Sequence, residues 1–416
     1  MPLTRRSLIK SAIAAALVPA FTAIAHSAAR GETTMTTAKP FKLAIADADI
    51  ADLQYRLRSA RWPVEVAPDT WERGIPGGYL RQLAERWAAF DWRAQEAELN
   101  RYDQVMLEFE GEHVHAFHIR SRHADAMPLV LCHGWPSSGI EYLKLVEPLT
   151  NPADGKDAFH LIIPTAPGFG LSPAPRQPGW TAGKTAAAIV ELLNQFGYDR
   201  FAVHGTDMGS DVAAQLDVLT NGRAIGLHLG TDLDSVIAVA SFMGGDLQQN
   251  PALTAEQKER AGALLAKVAD RNGYIAIQST RPKTLGYALN DSPIGQLAWI
   301  AEKFEAWTNP NKATIEAAVD IDQFLTNVSL YWYGGGGSAS ANALWEAFKA
   351  MGWAPPSATP RGVAVFNASD LVRPLFDPQQ QIGHWSEFTE GGHFPAMEEP
   401  ALLAGDLKTF FRPLRG

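Results

Sequence analysis

The chain reads as an α/β protein: a doubly wound, mostly parallel sheet, split by a helical insertion and preceded by a helical arm. Three observations carry this expectation. From Met127 to Leu216, short apolar runs alternate with stretches of helical spacing, the signature of a parallel sheet covered by helices. Between about residues 233 and 355 the strand pattern disappears and helical spacing replaces it. A strand-like run, Gly362-Val-Ala-Val-Phe366, then resumes the sheet, and a last helix, Ala401 to Phe411, closes it. The expected divisions are a leader over residues 1–29, a linker over 30–39, an arm over 40–120, a first half of the core over 121–232, a helical cap over 233–355 and a second half of the core over 356–416.

In the arm, Ile50, Leu53 and Leu57, then Tyr79, Leu80, Leu83 and Trp87, recur at helical spacing on either side of a Pro- and Gly-rich loop. Val105 to Ile119 alternates in places around Glu110-Gly111-Glu112, which predicts a hairpin. Met127 to Cys132 is a buried strand running into His133-Gly134-Trp135-Pro136, and His160 to Ile163 is a second one. Thr181 to Phe196 is an amphipathic helix. In the cap, Thr254 to Ala269, Pro293 to Thr308 and Ile315 to Trp332 are helical, and Gly334 to Gly337 predicts a flexible loop.

The most informative stretch is Phe201-Ala-Val-His-Gly205-Thr-Asp207-Met-Gly209. An apolar strand meets a turn bracketed by two glycines, and a helix follows, a geometry that lifts one side chain above the sheet edge. Here that side chain is an acid. Serine in such a turn needs a base to remove its proton, whereas an aspartate with an ordinary pKa of about 3.9 is already ionised near neutrality and can attack unaided. Carboxylates attack strained or activated sp³ carbon well, so epoxides and alkyl halides are the fitting substrates and an alkyl ester on Asp207 the fitting intermediate. A histidine is then needed only to direct water at that ester. The same pentapeptide could also be a plain turn in which Asp207 caps the following helix.

Composition narrows the partners. With 416 residues, 46% hydrophobic and 19% charged, the chain has room for one large domain with an insertion. The net charge of −9, with no basic cluster interleaved with aromatics, speaks against nucleic acid. The single cysteine, Cys132, excludes an intrachain disulfide and a cysteine-based zinc site. His113, His115 and His118 share the predicted hairpin without a nearby carboxylate, so no metal site is expected there. Thr4-Arg5-Arg6-Ser7-Leu8-Ile9-Lys10, an Ala-rich apolar run to Ala25 and small residues at Ser27-Ala28-Ala29 predict a twin-arginine signal peptide and a periplasmic or secreted location. The run is short and contains Pro19, so no permanent membrane insertion is expected. Loss of Arg5, Arg6 and Lys10 with the leader takes the charge from −9 to −12.

From about Phe41 to the C-terminus the chain resembles microsomal-type epoxide hydrolases. The resemblance is carried, in order, by Phe90-Asp91-Trp92 with Leu99-Asn100, His133-Gly-Trp-Pro136, the turn at Asp207, Leu289-Asn-Asp-Ser-Pro293, Glu302-Lys-Phe304, Leu330-Tyr-Trp332 and Gly391-Gly-His-Phe394. It implies an α/β-hydrolase core, a helical cap and a meandering N-terminal arm that braces the cap. It also implies a cofactor-independent enzyme acting with water on a small or medium apolar epoxide.

The same resemblance makes Asp207 the nucleophile, the backbone N–H groups of Trp135 and Met208 an oxyanion hole, and His393 the base. Asp370 corresponds to the acid that orients the histidine, with Asp377 as the alternative, because the spacing from Phe366 is one residue longer than the family pattern. Tyr274 corresponds to the first of two cap tyrosines that protonate the opening oxygen. The second position falls on Leu344 or Trp345, and neither is a tyrosine. Three outcomes stay open: one phenol suffices, Tyr333 swings in on the glycine loop, or the Trp345 indole serves a different leaving group. The last would make the chain a dehalogenase-like hydrolase, although Met208 after the nucleophile and Tyr274 in the cap count against it. A binder without turnover is the other class considered; the lack of any Gly-x-Ser-x-Gly speaks against an esterase. The sequence leaves the oligomeric state open, a homodimer included.

Overall fold

Strand order places the acid-bearing turn in the middle of a single sheet. In the computed structural model, which describes residues 37–415 apart from 154, 243–245, 351–353 and 356, the described strands are β1 (Lys39–Pro40), β2 (Gln104–Phe109), β3 (Glu112–Ile119), β4 (Met127–Cys132), β5 (Phe159–Pro164), β6 (Phe201–Thr206), β7 (Ala224–Asp232), β8 (Arg361–Phe366) and β9 (His384–Glu387). They lie in the order β1-β2-β3-β5-β4-β6-β7-β8-β9. From β5 to β9 every pairing is parallel, whereas β1, β2 and β3 join antiparallel. The hairpin expected within the arm therefore extends the core sheet, and the arm proper is the three helices that precede it. The twin-arginine segment lies outside the described residues.

The central strands are rich in apolar residues because both faces are covered. Leu129, Leu131, Leu161 and Ile163 face one side, packed with Leu403 and Leu407 of the helix Pro400–Phe411. Val130, Cys132, Ile162 and Val203 face the other, packed with Ile189 and Leu193 of Ala182–Gln195 and Leu216 of Met208–Thr220. The alternation of odd and even residues between the two layers is the period of a pleated strand.

The insertion is helical, as expected, and it shares one apolar cluster with the arm. Leu53 and Leu57 of Asp47–Arg58 and Leu80, Leu83 and Trp87 of Gly77–Ala88 pack with Leu297, Ile300 and Phe304 of Pro293–Trp307 and with Phe324, Leu325 and Val328 of Ile321–Tyr333. The Trp87 indole N–H also donates to Ser329 Oγ at 2.8 Å, tying arm to cap. The first helix of the insertion, Leu233–Phe242, belongs with the core instead: Val236 packs against Val363 and Val365 of β8.

Two local expectations are corrected. The helix expected over Ile315 to Trp332 is broken into Ile315–Ala318 and Ile321–Tyr333, with Asp320 accepting from the N–H groups of Asp322 and Gln323 at the start of the second. The glycine run is no flexible loop. Gly335 takes a left-handed turn at φ 65° and the chain re-enters a helix, Gly336–Ala350, whose first two glycines are buried. Gly335 is a residue that such a turn favours.

Candidate active site

At the end of β6 the backbone turns so sharply that Asp207 sits at φ 49° and ψ −128°, a conformation that a residue with a Cβ rarely adopts. The flanking glycines make it feasible. A Cβ on Gly205 would lie 2.3 Å from the Gly209 carbonyl oxygen, and one on Gly209 would lie 2.0 Å from that of Cys132. The turn thus presses against its own helix and against β4, and the Asp207 side chain is left projecting.

Its two oxygens have different surroundings. Oδ1 accepts from the Trp135 backbone N–H at 2.8 Å, and Oδ2 faces His393 Nε2 at 3.7 Å. Met208 opens the following helix, so its N–H has no acceptor within that helix. His393 is fixed from behind: its backbone N–H donates to the Trp307 carbonyl at 2.8 Å, which ties the loop to the cap. Glu398 strengthens that tie by accepting from the Phe394 N–H at 3.0 Å and from the Asn309 N–H at 2.7 Å.

The partner of His393 Nδ1 is Asp232, at 3.0 Å, the last residue of β7. Asp232 also accepts from the N–H and the hydroxyl of Ser235, and Ser235 Oγ lies 3.1 Å from His393 Nδ1. This corrects the expectation for the acid. Asp370 is on the surface, its carboxylate held by Arg260 at 2.6 Å and by Gln257. Asp377 is buried but accepts from the N–H groups of Gln381 and Ile382, closing a local turn. Neither carboxylate is bonded to His393. Asp232 escaped the sequence reading because β7 did: Ile225, Leu227 and Leu229 do alternate with Gly226, His228 and Gly230, but the two glycines lower the strand propensity of the stretch, so the alternation does not read as a strand. The available signal was an Asp-x-x-Ser pair at the border between strand-like and helical patterns.

Aromatic rings roof the site. Tyr274, in the helix Gly273–Gln278, stacks on Trp135 at 5.1 Å and 8° and meets Trp307 edge-on at 5.2 Å. Trp307 in turn lies 5.0 Å from the His393 ring. Among the described residues, the Tyr274 hydroxyl has no protein hydrogen-bond partner. Burial, then the charges of Asp207 and Asp232, push its pKa well above the usual phenol value, so it is a phenol and not a phenolate.

The candidates for a second donor are not brought to this point. Tyr333 meets Trp92 of the arm at 4.9 Å and lines a small cleft with Ile50, Leu53 and Trp87. Trp345 is half-buried with the Lys349 ammonium 5.7 Å from its ring, while Leu344 is the buried member of the pair, in the apolar cluster that holds Trp135. Tyr331 is buried near Asp207, but its hydroxyl donates to the Ser137 carbonyl at 2.7 Å.

Burial lowers the basicity of His393, but the bond to Asp232 and the charges of Asp232, Asp207 and Glu141 outweigh it and raise the pKa to about 9. Glu141, fully buried near Asp207 and His393, is raised to about 7, chiefly by burial. On the hairpin, His115 is bonded to Thr165 and Gln104 and His118 to Tyr198. Three other groups, His228, His384 and Asp406, converge below the sheet ends, with both imidazoles hydrogen-bonded to the one carboxylate.

Because the folded chain favours imidazolium over the unfolded value of 6.5, His393 contributes stability that is whole below about pH 6.5 and is lost as pH rises through about 9. Asp207→Asn and Asp232→Asn should each lower the His393 midpoint, the second more, in ¹⁵N-histidine NMR titrations; an unchanged midpoint in both variants would contradict the arrangement.

Comparison with known proteins agrees with this geometry. A family profile described as "Epoxide hydrolase N terminus" matches residues 38–142, and one described as "alpha/beta hydrolase fold" matches residues 127–221. A Stigmatella aurantiaca protein carrying an epoxide hydrolase name is 38% identical over 384 residues, covering 90% of this chain and 85% of its own. Epoxide hydrolase 1 of Sus scrofa is 30% identical, covering 89% of this chain and 88% of its own. Among solved structures, the Aspergillus niger epoxide hydrolase superposes with a TM-score of 0.74 at 25% identity, covering 91% of this chain and 97% of that one. The juvenile hormone epoxide hydrolase of Bombyx mori shares the fold with a TM-score of 0.76 at 24% identity, covering 91% and 94%. The chain belongs to the epoxide hydrolase family of the α/β-hydrolase fold.

Proposed function

We propose that the enzyme opens a small or medium apolar epoxide to a vicinal diol through an alkyl ester on Asp207. The observation that carries this reading is the division of labour between the two Asp207 oxygens. Oδ1 already accepts from the Trp135 N–H, so Oδ2 is the oxygen left to attack. As Oδ2 bonds to a ring carbon, the C–O bond breaks and the released oxygen takes the Tyr274 proton. Oδ1 becomes the ester carbonyl oxygen, seated in advance where the Trp135 and Met208 N–H groups stabilise the later oxyanion.

The second step follows from the first by electrostatics. Resting His393 is protonated near neutrality, and the Asp207 charge is one of the groups that keep it so. Ester formation removes that charge, so the imidazole gives up its proton more easily, restores the Tyr274 phenol with it and becomes the base that the next step requires. His393, oriented by Asp232, takes a proton from water, hydroxide adds to the ester carbon, and collapse of the tetrahedral state releases the diol and restores the carboxylate. The proton taken from water restores the resting imidazolium, and the proton of the added hydroxyl passes to the departing diol oxygen.

The surroundings support an apolar substrate: Trp135, Tyr274, Trp307 and Leu344 line or adjoin the roof. An alkyl-halide substrate is disfavoured here, because the Trp135 indole N–H is committed to Ser340 Oγ at 3.1 Å and Trp345 is packed with Lys349. His393→Gln should accumulate a protein species heavier by one substrate molecule when incubated with a panel of epoxides, and the unsubstituted enzyme should release diol from them. Release of halide from haloalkanes without diol formation would reject the epoxide reading.

We also propose export by the twin-arginine route, supported by Arg5-Arg6 and the weakly apolar run after them. No helix among the described residues is long and apolar enough to cross a membrane. Arg5→Lys together with Arg6→Lys should retain the chain in the cytoplasm of a bacterial host, as judged by fractionation; unchanged export would reject this route.

A further inference from the structure

We propose that Lys303 is a positioning residue for Tyr274, holding a buried positive charge against the face of the ring that gives up its proton. This deepens the reading above and rests on it. Lys303 lies on the cap helix Pro293–Trp307 and is 1% exposed. Its Nζ is 4.6 Å from the centroid of the Tyr274 ring and 5.7 Å from that of Trp307. It donates to the Arg271 carbonyl at 3.2 Å and to Glu302 Oε1 at 3.0 Å.

A lysine this deep is unusual, because removing an ammonium from water is costly and most buried lysine stems leave the charge outside. Filling the space alone would suit methionine. The placement has a clear consequence for proton transfer. While the phenol is neutral, the ammonium is attracted only by the ring's quadrupole. As the hydroxyl proton moves to the opening oxygen, negative charge spreads into the ring and the attraction to Lys303 grows. An interaction stronger in the transition state than in the ground state is the kind that raises a rate.

The other groups near Tyr274 oppose this: burial and the charges of Asp207 and Asp232 make the phenol harder to ionise. Among the described residues Lys303 is the ammonium set against that ring, and Glu302, 28% exposed, is its carboxylate partner. The contribution matters more because Leu344 and Trp345, where the resemblance puts a second phenol, are not tyrosines, and the Tyr331 hydroxyl is spent on Ser137. Lys303 neither gives nor takes a proton; the Tyr274 hydroxyl supplies the one that the substrate oxygen receives.

The test uses Lys303→Met, Lys303→Gln and Lys303→Arg, each alone and combined with Tyr274→Phe. Styrene oxide is followed in single turnovers, with quenched samples weighed for the alkyl-enzyme and its decay. The neutral variants should slow ester formation about 10- to 100-fold, through loss of the attraction that grows as the phenol gives up its proton. Ester decay should stay within about twofold, and arginine should restore part of the loss. In the Tyr274→Phe background the same substitutions should cost nothing further. Equal losses in both backgrounds, or in both steps, would make Lys303 a packing residue and overturn the proposal. If the unsubstituted enzyme formed no ester, the epoxide reading itself would fall and this proposal with it.

Discussion

The site depends on one contact, the Trp135 N–H donating to Asp207 Oδ1, and on the strained turn that delivers the carboxylate to it. The turn can hold its φ of 49° only because Gly205 and Gly209 let β6, its following helix and β4 approach closely. With Oδ1 committed, the remaining chemistry is directional: Oδ2 is the attacking atom, His393 lies on its side of the carboxylate, and the roof of aromatic rings lies above. A carboxylate free to rotate would leave the oxyanion donors to be recruited later, at a cost in reorganisation.

The cap and arm extend the same constraint outward. Trp135 is both a backbone donor and the ring on which Tyr274 stacks, and it belongs to the apolar cluster that joins the arm helices to the cap. His393 is bonded through its own N–H to Trp307 on the cap, so base and roof are held to each other rather than separately to the sheet. The Asp207 side chain stays 29% exposed beneath the rings, so it is a bound substrate that would displace water from the carboxylate and strengthen the charge interactions there. Burial raises Glu141 to about 7, whereas His393 reaches about 9 against its own burial, through the bond to Asp232 and the charges of Asp232, Asp207 and Glu141.

Much of this was legible in the residues. The Asp207 turn announced itself by its glycines, and chain order singled out His393, whose Nε2 lies 3.7 Å from Asp207 Oδ2. Trp135 entered through the resemblance, carried by His133-Gly-Trp-Pro136. What failed did so for physical reasons. The acid depends on which strand end faces the imidazole, and β7 lacks the apolar continuity that would have revealed it, so the surface pair of Asp370 with Arg260 was mistaken for the partner. The fate of Tyr333 and Trp345 turned on helix rotation, about 100° per residue, across a glycine run whose re-entry into helix has no clear mark in sequence. Lys303 was visible only as part of a family motif, because nothing local says that a lysine points inward.

The account stands or falls on whether Asp207 becomes covalently bound. With enzyme in excess over epoxide in H₂¹⁸O, the diol from a first turnover should carry no solvent oxygen, and the label should appear in the Asp207 peptide. Heavy oxygen in that first diol, with none on Asp207, would mean that water attacks the ring directly.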